Sequence, residues 1–308
     1  MKVRRIDPGT EDARHYVIDL GNAIAEANVR QVVDRQTGGR FIINCSTQCG
    51  CPIGCRFCGS GESFVRSFTT AEILLQLRPL LYDRDWFDGA DCELRFAAMG
   101  EPLLNLRSVL EAARWLHQNY PRMRFLLSSS APRVAYEHVR ALGVEIETLD
   151  LQFSVHATDD GARDALIPFR AKLTLAGIAA EGLRWLAVVG RRPRLNYCAH
   201  VGNSGEADAA RLRELFDPAV WDARVSMVCE RDEGVGDDIE AAATIAGAFT
   251  QRLREHGFDC IDESVPAHAR VGGGCGQLWS AQAWMREDPG LVRPSIGCGL
   301  PRFGAPTR

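Results

Sequence analysis

Three cysteines, Cys51, Cys55 and Cys58, form a C-x3-C-x2-C triplet inside the stretch from Asn44 to Gly59. Thiolates this close in sequence can wrap one side of a metal centre, and cysteine sulfur is the soft donor that iron–sulfur clusters favour. A closed four-iron cluster takes four such ligands, so a triplet implies a cluster with one iron left for a non-protein ligand. Gly50 and Gly54 lend the loop conformational freedom. A structural zinc site would need a fourth donor, which Cys45 or Cys49 could supply. Zinc sites, however, pair two short Cys/His arms across a longer loop, and no second arm follows. The iron–sulfur reading is favoured.

With the aromatic Phe57 before its last cysteine, the triplet resembles the signature of radical S-adenosylmethionine (SAM) enzymes. Ser46-Thr47-Gln48-Cys49-Gly50-Cys51 ahead of it and Gly59-Ser60-Gly61 behind it resemble the RlmN/Cfr-type ribosomal-RNA adenine methyltransferases. The resemblance implies a [4Fe-4S] cluster on Cys51, Cys55 and Cys58 whose open iron chelates the amino and carboxyl groups of SAM. It also implies a reductant such as flavodoxin or ferredoxin, whose electron splits SAM into methionine and a 5′-deoxyadenosyl radical.

Four further segments acquire meaning beside the triplet. Met99-Gly100-Glu101-Pro102-Leu103-Leu104-Asn105 alone is an ordinary strand-to-helix turn, although a carboxylate beside a glycine can accept bonds from an ammonium group. It resembles the family's G-E-P segment, which implies that Gly100, Glu101 and Pro102 hold the methionine end of SAM. Leu127 to Ser130 resembles the family's L-S-T-S, with Ser128 as a SAM contact. Phe153 to Asp160, continuing through Arg163 to Pro168, resembles the S-L-H-A segment, so Ser154, Val155 and His156 would line the ribose and adenine pocket. A lone histidine at a strand end is otherwise more often a satisfied core residue. Gly272-Gly273-Gly274-Cys275-Gly276-Gln277-Leu278 sets a thiol between glycines, as a group that must meet several partners would need. It resembles the loop of the methylated cysteine, which makes Cys275 the catalytic candidate.

These segments need strand ends to carry them. Strands are expected at 40–45, 93–98, 123–128, 151–155, 195–201, 224–229 and 258–261, from their β-branched and aromatic content. Thr69 to Glu72 is a capping box ahead of a helix, and further helices are expected at 109–116, 133–142, 206–215 and 239–256. Alternating strands and helices imply a parallel sheet covered on its outer face, with chemistry on loops at the strands' carboxyl ends. The expected fold is α/β, a partial (β/α)6 barrel of the radical SAM type. It comprises an N-terminal extension over 1–38, a core over 39–278 and a Pro/Gly-rich tail over 279–308.

The chain has 308 residues, a formal charge of −4 and no apolar run long enough to span a membrane. Its first residues are charged, without the apolar stretch of a signal peptide, so the eleven cysteines read as reduced thiols and metal ligands in the cytoplasm. The acidic balance argues mildly against a protein that grips a large nucleic acid.

The resemblance, over residues 40–278, breaks at particular places. The family's resolving cysteine falls at Asn44, and a one-residue step along a strand turns Cys45 to the opposite face. Its glutamate base falls near Gln31, and its Asn-Pro segment near Glu230-Arg231-Asp232. These departures spare the cluster and SAM while altering substrate handling. The expectation is therefore radical chemistry on a small, nucleoside-like substrate, with C-methylation through Cys275 ahead of hydrogen-atom return by Cys275, as in an epimerase. Methylation of ribosomal RNA is a further alternative, and RNA is not the favoured partner.

Overall fold

The computed structural model describes residues 2–6, 13–34, 38–82, 91–227 and 235–264. Cys275, the segment 230–232 and the tail lie outside the described residues. A ten-stranded mixed sheet, in the order β1-β2-β3-β4-β7-β8-β9-β10-β11-β12, organises the fold. Its antiparallel end comprises β1 (Lys2–Ile6), β2 (Ala13–Asp19) and β3 (Ile24–Asp34). The third of these pairs antiparallel with β4 (Gly38–Cys45). From β4 onward the sheet is parallel, through β7 (Asp91–Phe96), β8 (Arg124–Ser129), β9 (Leu149–Ser154), β10 (Arg194–Ala199), β11 (Asp222–Met227) and β12 (Cys260–Asp262). Seven parallel strands make six crossovers, the curled partial barrel expected of the radical SAM type.

Helices fill those crossovers: α1 (Thr70–Tyr82), α2 (Leu106–Asn119), α3 (Tyr136–Glu145), α4 (Asp160–Leu166), α5 (Leu175–Val189), α6 (Glu206–Leu215) and α7 (Val235–Glu255). The capping box before α1 forms in both directions: the Glu72 N–H donates to Thr69 Oγ1 (3.2 Å), and the Thr69 N–H donates to Glu72 Oε2 (2.9 Å). No helix among the described residues is long and apolar enough to cross a membrane.

Two parts of this architecture differ from the expectation. The described residues of the N-terminal extension, 2–6 and 13–34, form strands of the same sheet, and in β3 Ala25, Ala27 and Val29 alternate with Glu26, Asn28 and Arg30. The first set is buried in the main apolar core, and small alanines give it a weak hydrophobic signature. The stretch 160–189 carries two helices, with Thr174 capping α5 through the Gly177 N–H (3.1 Å).

The two faces of the parallel sheet have opposite chemistry. Outward residues such as Ile43, Leu94, Phe96, Phe125, Leu127, Leu151, Phe153, Leu195, Tyr197 and Val225 pack under the helices as one core. The inward face is mainly polar: Asn44, Arg95, Ser128, Gln152, Ser154, Asn196, Cys198, Arg224 and Ser226 lie on matching register rows, with Ile42 and Leu126 between them. Polar residues at alternate positions of parallel strands mark a face turned toward a lumen rather than a second apolar layer.

Candidate active site

β4 ends at Cys45, and the chain turns into the cysteine loop at the carboxyl edge of the sheet. Its entry is tied to the β7 exit: the Thr47 N–H donates to the Met99 carbonyl (2.8 Å), and the Glu101 N–H to Gln48 Oε1 (2.8 Å). Asn105 Nδ2 donates to the carbonyls of Thr47 (2.8 Å) and Phe68 (2.7 Å). A short hairpin, β5 (Gln48–Gly50) with β6 (Phe64–Ser67), frames the triplet. The loop is therefore held rather than slack. A Cβ at Gly50 would lie 2.0 Å from the Ser63 carbonyl oxygen, at φ 73°, so glycine is required there by close approach as well as by conformation.

Gly100 answers to the same logic at φ 93°, where a Cβ would stand 2.5 Å from the Gln48 Cβ and 2.8 Å from its backbone nitrogen. We expect Gly100→Ala to lower stability by about 2 kcal/mol or more and to deplete bound iron, since the strain falls on the entry to the triplet. Thermal melting and iron analysis of the same preparation check both outcomes.

Around the triplet, Ile53, Ala157, Leu166 and Ile167 form a second apolar cluster that also packs Cys51, Cys55 and Phe57. The Arg56 N–H donates to the Leu166 carbonyl (2.9 Å), which fastens the loop to α4. Burial pushes the Cys51 and Cys55 thiols up, and the Cys58 charge pushes them further. Three thiols held together in an apolar sleeve ionise readily only beside a cationic centre, and that donor set fits an iron–sulfur cluster. Among the described residues no three Cys, His, Asp or Glu side chains converge closely enough for a single metal ion.

Glu101 is buried and its carboxylate accepts four hydrogen bonds. Oε1 takes the Leu103 N–H (3.0 Å) and Ser129 Oγ (2.7 Å), and Oε2 takes the Ser130 N–H and Oγ (2.7 Å each). A carboxylate offers about four lone-pair sites, so an ammonium ligand would have to displace the rotatable serine hydroxyls. Burial raises the Glu101 pKa against these bonds. Ser128 faces the lumen and accepts from Gln152 Nε2 (2.9 Å), whereas Ser129 and Ser130, its neighbours, hold Glu101. Ser154 lies half-buried at the end of β9. Val155 is fully buried in the main core, and its N–H donates to the Asn196 carbonyl (2.9 Å).

His156 occupies the left-handed region at φ 59°. Its ring meets Phe57 edge-on, with centroids 5.0 Å apart, and its Nδ1 accepts from the Cys198 N–H (3.0 Å). The ring thus links the triplet to β10. Burial, then the Arg163 charge, lowers its pKa to about 3. A histidine depressed from its ordinary 6.5 stabilises the fold fully above pH 6.5, and that contribution is lost as pH falls toward about 3. Between pH 6.5 and 4.5 we expect stability to fall with a slope approaching about 1.4 kcal/mol per pH unit from this group. His156→Asn, which tolerates the left-handed backbone, should flatten that slope in denaturation curves taken across this window.

Two site features escaped the sequence reading. Cys198 sits on the inward face at the end of β10, where burial and the nearby Cys58 charge push its thiol up to about 12. Arg163, fully buried, donates to the Ser130 (2.8 Å), Ser154 (3.0 Å) and Leu173 (2.9 Å) carbonyls and so ties the ends of β8 and β9 together. At the departures from the family pattern, Asn44 faces the lumen and donates to Asn28 Oδ1 (2.7 Å), while Cys45 is buried on the opposite, helix-covered face. Gln31 is exposed, on the face opposite Arg30, and the buried carboxylate of Glu26 lies on the row of Asn28 instead.

No family model matches the chain. Three curated relatives are each named as a probable dual-specificity RNA methyltransferase RlmN. Those of Petrotoga mobilis (27% identical, 90% of this chain, 76% of the relative), Thermosipho melanesiensis (29%, 70%, 61%) and Frankia alni (30%, 83%, 62%) all match over long spans. The chain thus spans only about three fifths of the length of two of them. Among solved structures, a radical SAM methyltransferase from Sphaerobacter thermophilus superposes with a TM-score of 0.74 at 20% identity, over 89% of this chain and 79% of that one. SuiB of Streptococcus suis, bound to S-adenosylmethionine, gives 0.51 at 13% identity over 74% of this chain and 51% of its own.

Proposed function

We propose that this chain, an RlmN/Cfr-like radical SAM protein of the methyltransferase type, binds SAM at the carboxyl edge of its half-barrel and methylates a carbon of a nucleoside-like substrate in the lumen. The observation that carries the reading is the juxtaposition of the three thiols with Glu101, Phe57 and His156 at neighbouring strand ends. Cys51, Cys55 and Cys58 would hold a [4Fe-4S] cluster, which when reduced supplies the electron that cleaves SAM.

The chain's own residues then have distinct tasks. The apolar sleeve of Ile53, Leu166 and Ile167 covers one side of the thiols. Glu101, released by Ser129 and Ser130, receives the SAM ammonium, while Gly100 and Pro102 let the chain pass close beside it. Ser128 and Ser154 face the ribose and adenine, with Phe57 and His156 forming one wall and Val155 packing behind them in the core. Cys275 takes part in the methyl transfer. With asparagine at position 44, a thiol partner for Cys275 must come from elsewhere or be dispensable.

Anaerobic reconstitution followed by reduction with methyl-deuterated SAM tests this. Release of 5′-deoxyadenosine with deuterium in the product supports methyl transfer. Solvent deuterium at a substrate carbon instead identifies hydrogen-atom return. A protein that holds no iron, or that releases no deoxyadenosine, ends the reading. A second reading, methylation of RNA, is favoured by the names of the relatives and predicts a salt-dependent interaction with RNA. Mass spectrometry of ribosomal RNA from cells with and without the protein separates the two.

A further inference from the structure

Among the described residues, the lumen beneath the triplet contains a charge cluster that does not balance. Glu263, just past β12, reaches across the lumen: Arg95 on β7 donates to it through both terminal nitrogens (2.9 Å each). Arg224 on β11 lies 3.2 Å away and Arg30 on β3 lies 3.6 Å away. Glu93, one inward position below Arg95, pairs with Arg95 and lies 3.8 Å from Arg40. Four guanidinium charges therefore meet two carboxylates among the described residues. The deepest of the four, Arg224, is 2% exposed and its Nε has no partner among the described residues. Burial and the neighbouring Arg95 charge pull its pKa down to about 9, as expected where cations outnumber anions. Above the cluster the lumen wall at Asn44, Ser128, Ser154, Asn196 and Ser226 is only half-buried, so this cationic floor underlies a partly accessible polar wall.

We propose that the lumen selects a substrate carrying an oxyanion, a phosphate in the nucleoside-like class proposed above, and that Arg30, Arg40 and Arg224 supply its positive field. The inference rests on the proposed function and names its substrate more closely. An oxyanion at the cluster neutralises the excess charge and accepts the unused guanidinium donors, while the neutral part of the substrate lies against the amide and hydroxyl wall beside the triplet. The charge needed to recognise a phosphate thus sits inside the barrel, and a net charge of −4 for the whole chain does not oppose it.

Equilibrium binding of AMP, adenosine and a short oligoribonucleotide to the iron-loaded protein with SAM tests the proposal. Arg30→Gln and Arg40→Gln are the variants, because their side chains are 15% and 31% exposed and neither donates a hydrogen bond to Glu263. Unchanged SAM affinity and deoxyadenosine release in the variants report an intact fold and an intact cluster, separately from the anion site. The expected result is that AMP binds at least about tenfold more tightly than adenosine to the parent protein, and that the variants lose most of this advantage. An oligonucleotide that displaces AMP and weakens in parallel assigns the anion to an RNA strand, whereas one that fails to compete assigns it to a free nucleotide. Equal affinity for AMP and adenosine in the parent, or an advantage that survives in both variants, overturns the proposal.

Discussion

Cys55→Ala is expected to abolish iron binding and, with it, deoxyadenosine formation, while leaving the metal-free fold nearly as stable as the parent. The two halves of this expectation have different causes. Cys55 stands between the other two thiols in sequence, and both Cys58 and Cys51 raise its pKa beyond what burial does. As one of the three proposed cluster ligands it would bind iron directly, so the loss should exceed the roughly ten- to hundredfold cost of removing a mere outer partner of a metal ligand. The fold depends little on it, because the loop is held by the Arg56–Leu166, Cys58–Cys55 and Cys51–Ser63 backbone bonds, which alanine keeps. Chemical denaturation of the metal-free variant should therefore shift by no more than about 1–2 kcal/mol. Cys198→Ala should retain iron, since that thiol comes from β10 and the triplet lies wholly on the loop. Iron and sulfide analysis of the two variants beside the parent decides the matter. Full iron content in Cys55→Ala would remove the basis for the cluster.

How much of this could be seen in the sequence depended on distance along the chain. The triplet, the Thr69–Glu72 box and α6 (Glu206–Leu215) are local patterns, complete within a few residues, and the structure has the box and the helix where those patterns put them. The family resemblance likewise rested on short contiguous wording, and the long relatives and the shared fold support it. The strands before Gly38 were less visible because alanine and valine supply their buried face. The lumen was not visible at all. Whether Asn44 or Cys45 faces inward follows from the pleat, but which strands face each other across the lumen follows only from the curl of the sheet. Cys198 became a neighbour of the triplet, and Glu263 a partner of Arg95, over separations that no local pattern reports.

Glu263→Gln carries the largest stability change we expect from one substitution. The glutamate is the only carboxylate among the described residues that reaches Arg95, Arg224 and Arg30 together, so it joins β12 to β7, β11 and β3. Removing its charge leaves three guanidinium groups facing one another with only Glu93 nearby, and Arg95 and Arg224 are nearly fully buried. Breaking such a buried network by deleting one partner costs about 3–5 kcal/mol, because the remaining charges keep their desolvation penalty. Glutamine preserves the shape and one acceptor, so the loss reports charge rather than volume. The pH dependence gives an independent check. Burial alone would raise the Glu263 pKa, yet Arg224, Arg95 and Arg30 outweigh it and hold the carboxyl down to about 2. A carboxyl depressed from its ordinary 4.5 stabilises the fold fully above pH 4.5 and loses that contribution as pH falls toward about 2. Denaturation midpoints should therefore drop in the parent between pH 4.5 and 2 and change less in Glu263→Gln. A variant as stable as the parent at pH 7, with the same acid profile, would mean that the half-barrel keeps its curl without this carboxylate.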